Sequence, residues 1–428
     1  HSSEEGAPSM PGLPAAKVAV FTIIFAITTS AAFGGGYSIP LQTTEAIGQA
    51  GALTAGVDDA SAVFYNPAAL TEVKENQVTA DAIYINTISR ITNGGVSAKN
   101  KHDDSFLPTL FANYRLPGKN LTLGMGIYSP FGFATTYDER GITRFASIRS
   151  ELRTMYVTPS VAWQPTSWFS LGGGVSYVHS SAVLTRSIFL GGPEGHLRLT
   201  GTDDSYAYNF GFIVKPIDSV KIGFTYRSKV DLNFDGGDVK FGIGPVTSTK
   251  AHGTHVPLPQ LISLGANWEI NPKWAVELVY DHTHWSQFDH LKASFDTPLL
   301  GGLITGFFIP QKWKDTSTIR FGTRYKLNES IELRAGIILD ESPTPNKTLS
   351  PAIPGADLLT LNGGVSYRWR NLKTSLSYMP VFYKTRRVLN NVLETGGDAS
   401  AIPAPGLSGK DKYETFQHFV AFQLQYNF

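Results

Sequence analysis

Apolar and polar side chains alternate residue by residue along several segments of this chain. Over Val220–Arg227, Val, Ile, Phe and Tyr alternate with Lys, Gly, Thr and Arg, and similar runs occupy 331–340, 361–370 and 420–428. Only Ile338 interrupts the polar face of the second run. A period of two places successive side chains on opposite faces of a β-strand. The pattern therefore predicts strands with one apolar and one polar face, as in a soluble sandwich or in a membrane barrel.

Short and long connections alternate between these predicted strands. Short polar turns lie at 116–119, 164–167, 215–219, 269–273, 326–330 and 370–373. Longer polar or Gly/Pro-rich segments lie near 91–105, 131–149, 189–203, 236–258, 286–312, 342–356 and 387–412. Strict alternation of the two kinds implies about fourteen strands, with short turns at one rim and long loops at the other, as in outer-membrane β-barrels.

The positions of the tryptophans support a membrane barrel over a sandwich. Five of them flank short turns, two flank a long loop, and none lies in the middle of a predicted strand. Amphipathic indole rings concentrate at the two membrane interfaces. We therefore predict an all-β fold, an antiparallel transmembrane barrel of about fourteen strands over 76–428. Its last strand, which ends on Phe428, should pair with the first and leave no open edge.

Two segments precede the first predicted strand. Residues 1–32 combine an upstream extension with a signal peptide, in which Lys17, the apolar run 18–27 and the small residues 30–32 follow in order. The run is shorter than the roughly 20 residues of a spanning helix, although an uncleaved anchor is the alternative. Residues 33–75 are rich in Gly and Ala without alternation. They are too poor in charge for a disordered leader, so we predict a compact hatch with short helical turns inside the barrel.

Composition and motifs exclude several other functions. A net charge of +1 is unsuited to nucleic acid, and the absence of Cys excludes disulfides and thiolate metal sites. His282 and His284 share one strand face and His290 follows, but no third ligand stands at a firm spacing, so we predict no metal site. No GxSxG or P-loop pattern occurs. We therefore expect a protein that is not an enzyme and has no cofactor.

The segment IGQAGALTAGVDDASAVFYNPAAL resembles the N-terminal hatch of the FadL family of outer-membrane transporters, which carry long-chain fatty acids and other hydrophobic compounds. Asn66, Pro67 and Ala68 match the NPA motif of that family. The resemblance continues in order through IYSPFGF (127–133), VTPSVAW (157–163), and the segments 208–230, 258–288 and 313–345 to the C-terminal strand. NPA alone would be weak evidence, but the ordered set is specific.

The resemblance implies a mechanism and a location. Family members are fourteen-stranded barrels closed by a hatch, which capture substrate in an apolar groove between extracellular loops and pass it to an internal pocket. Substrate leaves sideways through the wall near a kinked strand, without energy input. The resemblance also implies the outer membrane of a Gram-negative bacterium, contact with its lipids and lipopolysaccharide, and assembly by the barrel-assembly machinery. We expect a monomer.

Candidate substrate contacts follow from the apolar segments of the long loops. An exposed apolar patch usually marks a binding surface. Apolar side chains at such positions can alternatively extend strands or pack on neighbouring loops. Gly124 and Gly126 either mark a kink in the third strand or are ordinary small lumen residues beside the hatch. The apolar candidates are Tyr128, Phe131, Phe133, Leu303, Phe307 and Phe308.

A carboxylate head group would require a cation, for which arginine offers bidentate geometry. Alternation suggests Arg186, Arg227 and Arg320 as lumen-facing candidates, and the family resemblance suggests Lys314. Any of them could instead brace the barrel or the hatch through ion pairs. Three other functions remain open at this point: an uptake channel for aromatic or alkane hydrocarbons, a general porin or structural barrel, and an outer-membrane lipase, which turnover of an ester substrate would reveal.

Overall fold

The computed structural model describes residues 35–101, 104–243, 246–388 and 410–428. The predicted signal peptide lies outside these residues. In chain order the first strands are β1 (Gln77–Asn93), β2 (Val96–Lys99), β3 (Ser105–Arg115), β4 (Leu121–Tyr128), β5 (Gly132–Thr136), β6 (Arg149–Thr166), β7 (Phe169–Phe189), β8 (Glu194–Ile217), β9 (Val220–Arg227), β10 (Val230–Asn233), β11 (Gly237–Gly242) and β12 (Val246–His252). The remaining strands are β13 (His255–Leu258), β14 (Leu261–Asn271), β15 (Trp274–Thr283), β16 (His290–Leu299), β17 (Ile304–Pro310), β18 (Thr316–Lys326), β19 (Ile331–Asp340), β20 (Leu358–Trp369), β21 (Leu372–Tyr383), β22 (Arg386–Arg387) and β23 (Lys412–Asn427).

Fourteen of these strands form the wall of a closed antiparallel barrel, as the alternating pattern predicted. They are β1, β3, β4, β6 to β9, β14, β15, β18 to β21 and β23, each paired with its neighbours in the chain. The last strand pairs with the first along its length, from Gln77 opposite Asn427 to Thr92 opposite Lys412. Pairing of the last strand with the first closes the sheet into a barrel.

The polarity of the wall is that of a barrel in lipid. On β23, Phe422 and Leu424 are 47% and 44% exposed on the outer surface, whereas Gln423 between them is completely buried. The same inversion recurs on the other wall strands, where leucine, valine and aromatic side chains point outward. An apolar outer band and a polar interior are the arrangement that a bilayer stabilises.

The long-loop end differs from the prediction because several predicted loops are strands. The segment predicted as a loop at 189–203 is largely the start of β8, and the loops at 236–258 and 286–312 contain β11, β12, β16 and β17. These strands extend the sheet sideways from β8. Their inner face is apolar, with Leu197, Val239, Phe241 and Phe295 buried together. Burial of this apolar cluster outweighs the turn signals in the sequence.

The tryptophans fall into two groups, which corrects the prediction that all seven mark a membrane interface. Trp285 and Trp313 are 1% and 4% exposed, because they pack inside the barrel against Tyr37. The other five are about half-exposed near the short turns, as predicted for an interfacial belt. They are Trp163, Trp168, Trp268, Trp274 and Trp369.

Residues 35–76, here called the hatch, are mostly buried against the inner faces of the wall strands. It contains α1 (Thr44–Gly48), α2 (Ala62–Tyr65) and a 3₁₀ helix at Pro67–Glu72. The Thr43 hydroxyl caps α1 by accepting a hydrogen bond from the amide of Ala46, at 3.2 Å. Small residues such as Ala, Gly and Ser allow the hatch to approach the wall closely. No helix among the described residues is long and apolar enough to cross a bilayer.

The third strand of the wall is broken at 129–131. The strand ends as β4 at Tyr128 and resumes as β5 at Gly132, and Pro130 between them has no amide hydrogen to donate to a ladder. Gly124 and Gly126 lie before the break, in a regular ladder with both neighbours. They are the small residues beside the hatch, since a Cβ on Gly124 would lie 2.6 Å from the Val63 side chain.

Candidate functional site

An apolar cavity lies between the long-loop end of the wall, the extended sheet and the start of the hatch, and its empty space is about 1010 Å³ with the open solvent at its mouth included. We call it the main cavity. Aliphatic and aromatic side chains from distant parts of the chain line most of it, which is typical of sites for hydrophobic ligands. They include Phe133, Leu152, Leu184, Phe234, Phe288, Leu291, Phe307, Ile309 and Ile353.

Arg186 on β7 brings a positive charge into this apolar cavity. Its Nε is buried without a hydrogen-bond partner, and Arg186 forms no ion pair within the described residues. The guanidinium carbon lies 5.3 Å from the centre of the Phe307 ring. The other charged residue of the lining, Glu151, is occupied by Arg149 at 2.5 Å and by Arg153. A partly buried guanidinium without an ion pair has lost part of its hydration, and an anionic ligand atom would compensate it.

Arg227 and Arg320 line a second, smaller and more polar cavity, here called the hatch cavity. Arg320 Nε bonds Asp281 at 2.7 Å, and Arg227 Nη2 donates to the carbonyl of Phe64 at 2.8 Å. Arg227 also lies 3.9 Å over the Phe64 ring. Arg320 therefore braces two wall strands and Arg227 ties the wall to the hatch, the alternative role that the sequence left open.

The first described residues of the hatch separate the two cavities. Tyr37 and Phe133 line the main cavity, whereas Ser38 and Phe131 line the hatch cavity. The Tyr37 ring packs 4.6 Å from Trp285, centre to centre, and its hydroxyl donates to the carbonyl of Pro257. Nothing in the alternation of the sequence marks Tyr37 or Trp285, because their proximity depends on how the hatch folds back.

The broken strand binds this hatch segment edge to edge. Ile39 N donates to Pro130 O at 2.7 Å and Gly132 N donates to Tyr37 O at 2.9 Å. Gln42 continues the contact: its Nε2 donates to Ser129 O at 2.9 Å, and its Oε1 accepts from Ser129 N at 3.0 Å. The hatch thus supplies the hydrogen bonds that β4 and β5 lack at the break.

The same residues also close the wall on the other side of the break. The ladder between β3 and β4 ends at Leu110 and Ile127, so 105–109 of β3 pairs only with β1 among the described residues. Here Thr109 Oγ1 donates to the carbonyl of Gln42 at 2.8 Å. Gln42 therefore occupies a gap in the barrel wall and bonds both of its edges.

The remaining predicted residues lie in several different places. Tyr128 stacks between Phe111 and Tyr156 under the hatch, away from the main cavity. Phe308 stacks on His290 and is 42% exposed, and Leu303 is 82% exposed at the loop tip. Lys314 is exposed, with its amide bonded to Pro343. Of the predicted contacts, Phe133, Phe307 and Arg186 meet in the main cavity.

The NPA segment fastens the hatch to the wall. Asn66 Nδ2 donates to Phe212 O of the wall at 3.3 Å and to Thr54 O of the hatch at 2.7 Å. Its Oδ1 accepts from Ala68 N at 3.1 Å and caps the 3₁₀ helix that begins at Pro67. Gly172 faces this turn, and a Cβ there would lie 2.6 Å from the Pro67 carbonyl carbon. The wall therefore needs a residue without a side chain at position 172, so that the NPA segment can pack against it.

We expect Gly172→Val to displace the hatch and raise ion conductance through the purified protein in planar bilayers. The added side chain would collide with the backbone of Pro67 and Ala68, which cannot rotate away, and overpacking of this kind costs about 1–3 kcal/mol or more. Gly363→Val is the matched control, because no atom lies within 4 Å of a Cβ there. Equal conductance in the two variants would contradict close seating of the NPA segment.

Comparison with known proteins agrees with this architecture. Residues 25–428 match the family described as outer membrane protein transport protein (OMPP1/FadL/TodX). The chain belongs to this family. FadL-family relatives include a long-chain fatty acid transport protein of Escherichia coli O6:H1, 24% identical over 83% of this chain and 89% of the relative. Outer membrane protein P1 of Haemophilus influenzae is 25% identical, with 90% and 93% covered.

Solved FadL-family structures show the same fold. A Pseudomonas aeruginosa FadL homologue superimposes with a TM-score of 0.78 at 20% identity, covering 92% of this chain and all of the homologue. The Pseudomonas putida toluene transporter TodX gives 0.70 at 17% identity, with 93% and 99% covered. Family membership and the closed barrel place the protein in the outer membrane of a Gram-negative bacterium, so its long-loop end is extracellular.

Proposed function

We propose that this protein is a passive outer-membrane transporter whose preferred substrates are long-chain fatty acids. The observation that carries the proposal is the Arg186 guanidinium, which is partly buried in the apolar main cavity and has no ion pair among the described residues. The relatives named as long-chain fatty acid transport proteins support it. Since family members are named for transport, we infer transport rather than catalysis.

Each part of a fatty acid has a counterpart in the main cavity. Burial of the alkyl chain against Phe133, Phe307 and their neighbours contributes about 25 cal/mol per Å² of apolar surface. The carboxylate would pair with Arg186, whose planar fork suits two parallel hydrogen bonds. A neutral hydrocarbon would fill the cavity but leave the guanidinium uncompensated. This difference favours the fatty acid over the hydrocarbon alternative.

The route out of the main cavity would pass beneath Tyr37 and Ser38. Displacement of this hatch segment would join the main cavity to the hatch cavity, which reaches Pro130 and Phe131 at the broken strand. Beyond it lies the gap beside 105–109 that Gln42 fills. We infer that substrate leaves through this gap into the bilayer, because the apolar chain then stays out of water for the whole route. The filled lumen argues against a general porin.

Uptake measurements test the proposed function. Cells that lack their own transporter and express this chain should accumulate radiolabelled oleate faster than vector controls, and much faster than they accumulate toluene. A chain deleted for 33–75 but inserted in the membrane should lose this selectivity and conduct ions. Toluene uptake without oleate uptake would overturn the fatty-acid assignment, and conductance by the intact chain without uptake of either would indicate a porin.

We expect a disulfide between positions 38 and 131 to block transport. Ser38 and Phe131 are directly opposite in an antiparallel bridge, flanked by the hydrogen bonds from Ile39 and Gly132. Such non-hydrogen-bonded pairs have Cα atoms about 4.5 Å apart, within reach of a disulfide. Because the chain has no Cys, Ser38→Cys/Phe131→Cys introduces the only thiols. Oxidation should reduce oleate uptake to the vector level, and dithiothreitol should restore it.

The two single-cysteine variants are the controls for loss of the Ser38 and Phe131 side chains. They should transport oleate equally under oxidising and reducing conditions. The cross-link is verified by mass spectrometry. If the cross-linked protein transports oleate as fast as the dithiothreitol-reduced protein, the hatch segment does not move away from the broken strand during transport.

A further inference from the structure

Three potential metal ligands meet where the chain leaves the barrel wall between β15 and β18. His282 and His284 lie at the end of β15, and Asp315 immediately precedes β18. One ligand atom from each lies within 4.8 Å of the others, and the two imidazole rings are 4.6 Å apart, centre to centre. His290, the third histidine of this region, is not part of the cluster, since it contacts Asp289 at 3.1 Å and stacks on Phe308.

One atom of this cluster has no role in the protein alone. The Nδ1 of His284 is buried and has no hydrogen-bond partner among the described residues. A buried ring nitrogen normally finds a partner, because leaving it unmade forfeits its hydration. Asp315 is held in place by the amide of Ser286, which donates to its Oδ1 at 2.9 Å. The carboxylate is therefore oriented toward the two imidazoles from the opposite side of the loop.

We propose that His282, His284 and Asp315 bind a divalent transition-metal ion, with Zn²⁺ as the best match to two imidazoles and one carboxylate. Zinc binds these groups at about 2.0–2.2 Å, and a tetrahedral arrangement places ligand atoms about 3.3 Å apart. Small rotations of the side chains would bring the cluster to that spacing. Three protein ligands leave a fourth position for water. Calcium and magnesium are disfavoured because they require oxygen ligands.

The position of the site indicates what the ion would do. His284 and Asp315 are the two ends of the excursion 284–315, which carries Phe288, Phe307 and Ile309 into the main cavity. Their chain neighbours Trp285 and Trp313 hold Tyr37. An ion shared by the two ends would clamp the base of the excursion. It would thereby fix one wall of the cavity against the barrel.

Zinc titration of the purified, full-length protein tests the site directly. The protein is freed of any affinity tag, stripped with a chelator and titrated with ZnCl₂ by isothermal calorimetry in detergent. We expect one saturable site in the wild type. Substitutions His284→Ala and Asp315→Asn should each lower the affinity by more than the roughly 10–100-fold that loss of an outer-shell partner costs. The matched control His290→Ala should bind zinc as the wild type does.

A second readout separates loss of a ligand from loss of structure. Co²⁺ in place of Zn²⁺ should give the visible absorption of a tetrahedral site in the wild type and in His290→Ala, and a weaker, altered spectrum in the other two variants. Heat-dependent electrophoretic mobility will show whether each variant forms a folded barrel. Absence of saturable zinc binding in the wild type would overturn the proposal. The proposal would also be overturned if folded His284→Ala and folded Asp315→Asn bound zinc with the affinity of the wild type.

Discussion

Replacing Arg186 with leucine is expected to weaken oleate binding by about 10- to 100-fold. A hydrogen bond to a charged group contributes about 1.5–3 kcal/mol, and each 1.4 kcal/mol is a factor of ten in affinity. Arg186 is the unpaired cation of the main cavity, so its removal takes away the partner of the carboxylate. The apolar lining remains. Binding of a neutral ligand of the same chain length, such as oleyl alcohol, should be unchanged or stronger.

Equilibrium binding of the two radiolabelled ligands to the purified protein checks this expectation. Arg186→Lys should fall between the wild type and Arg186→Leu, because it keeps the charge and loses the planar fork. Lys314→Leu is the matched control, since Lys314 is exposed away from the cavity. Parallel losses of oleate and oleyl alcohol in Arg186→Leu would indicate that Arg186 shapes the cavity and does not pair with the carboxylate.

Glu45→Gln is expected to loosen the hatch by about 3–5 kcal/mol. Glu45 on α1 is buried and accepts from Arg334 at 2.7 Å and from Lys373 at 2.5 Å. The hydroxyls of Ser366 and Ser375 donate to the same carboxylate. Loss of its charge leaves Lys373 buried without its ion pair and Arg334 with Glu332 alone, which is the costly way to break an ion pair. Planar-bilayer recordings at neutral pH should therefore show frequent openings that the wild type lacks.

The Glu45 carboxylate also sets the lowest pH at which the hatch remains firmly seated, which we call the acid limit. Burial alone would raise the pKa of Glu45, but Arg334 and Lys373 outweigh it and lower the pKa to about 2 from an ordinary 4.5. A lowered pKa means that the stabilisation is present above about 4.5 and is lost as the pH falls toward 2. Wild-type openings should increase over that window. Those of Glu45→Gln should not, and equal pH responses would contradict this role for Glu45.

The pKa of Asp59, in the same hatch, is shifted in the opposite direction. Burial, with the charge of Glu45, raises the pKa of Asp59 to about 6. Its contribution to hatch stability is therefore present below about 3.8 and lost as the pH rises through 6. Together the two groups predict that the wild-type hatch is most firmly seated near pH 4, between the two ordinary pKa values of 3.8 and 4.5. Asp59→Asn should remove the rise in openings between about pH 4 and 6 and leave the acid limit in place.

The sequence predicts the barrel well because lipid imposes a strict rule on each strand. Every second side chain must be apolar whatever the neighbouring strands contain, so a segment such as 420–428 carries its own structural information. Loops have no such rule. The segment 189–203 has turn residues, yet most of it is strand, since an apolar face against β11 outweighs them.

Alternation could not separate the three candidate arginines. Each stands on a predicted inner face, but Arg320 pairs with Asp281 and Arg227 bonds the hatch, whereas Arg186 alone is left unpaired in the main cavity. The distinction depends on partners that are far away in the chain. For the same reason the sequence did not indicate Tyr37 or Gln42, whose roles arise only when the hatch meets the broken strand.

The central claim is that the main cavity holds a fatty acid with its carboxylate on Arg186, and photo-cross-linking tests it most directly. A fatty acid with a diazirine near the carboxyl end is irradiated with the purified protein, and labelled peptides are mapped by mass spectrometry. We predict labels within 182–186 and 307–311, removed by excess oleate and lost in Arg186→Leu. Labels confined to the lipid-facing surface of the wall, or insensitive to oleate, would contradict the account.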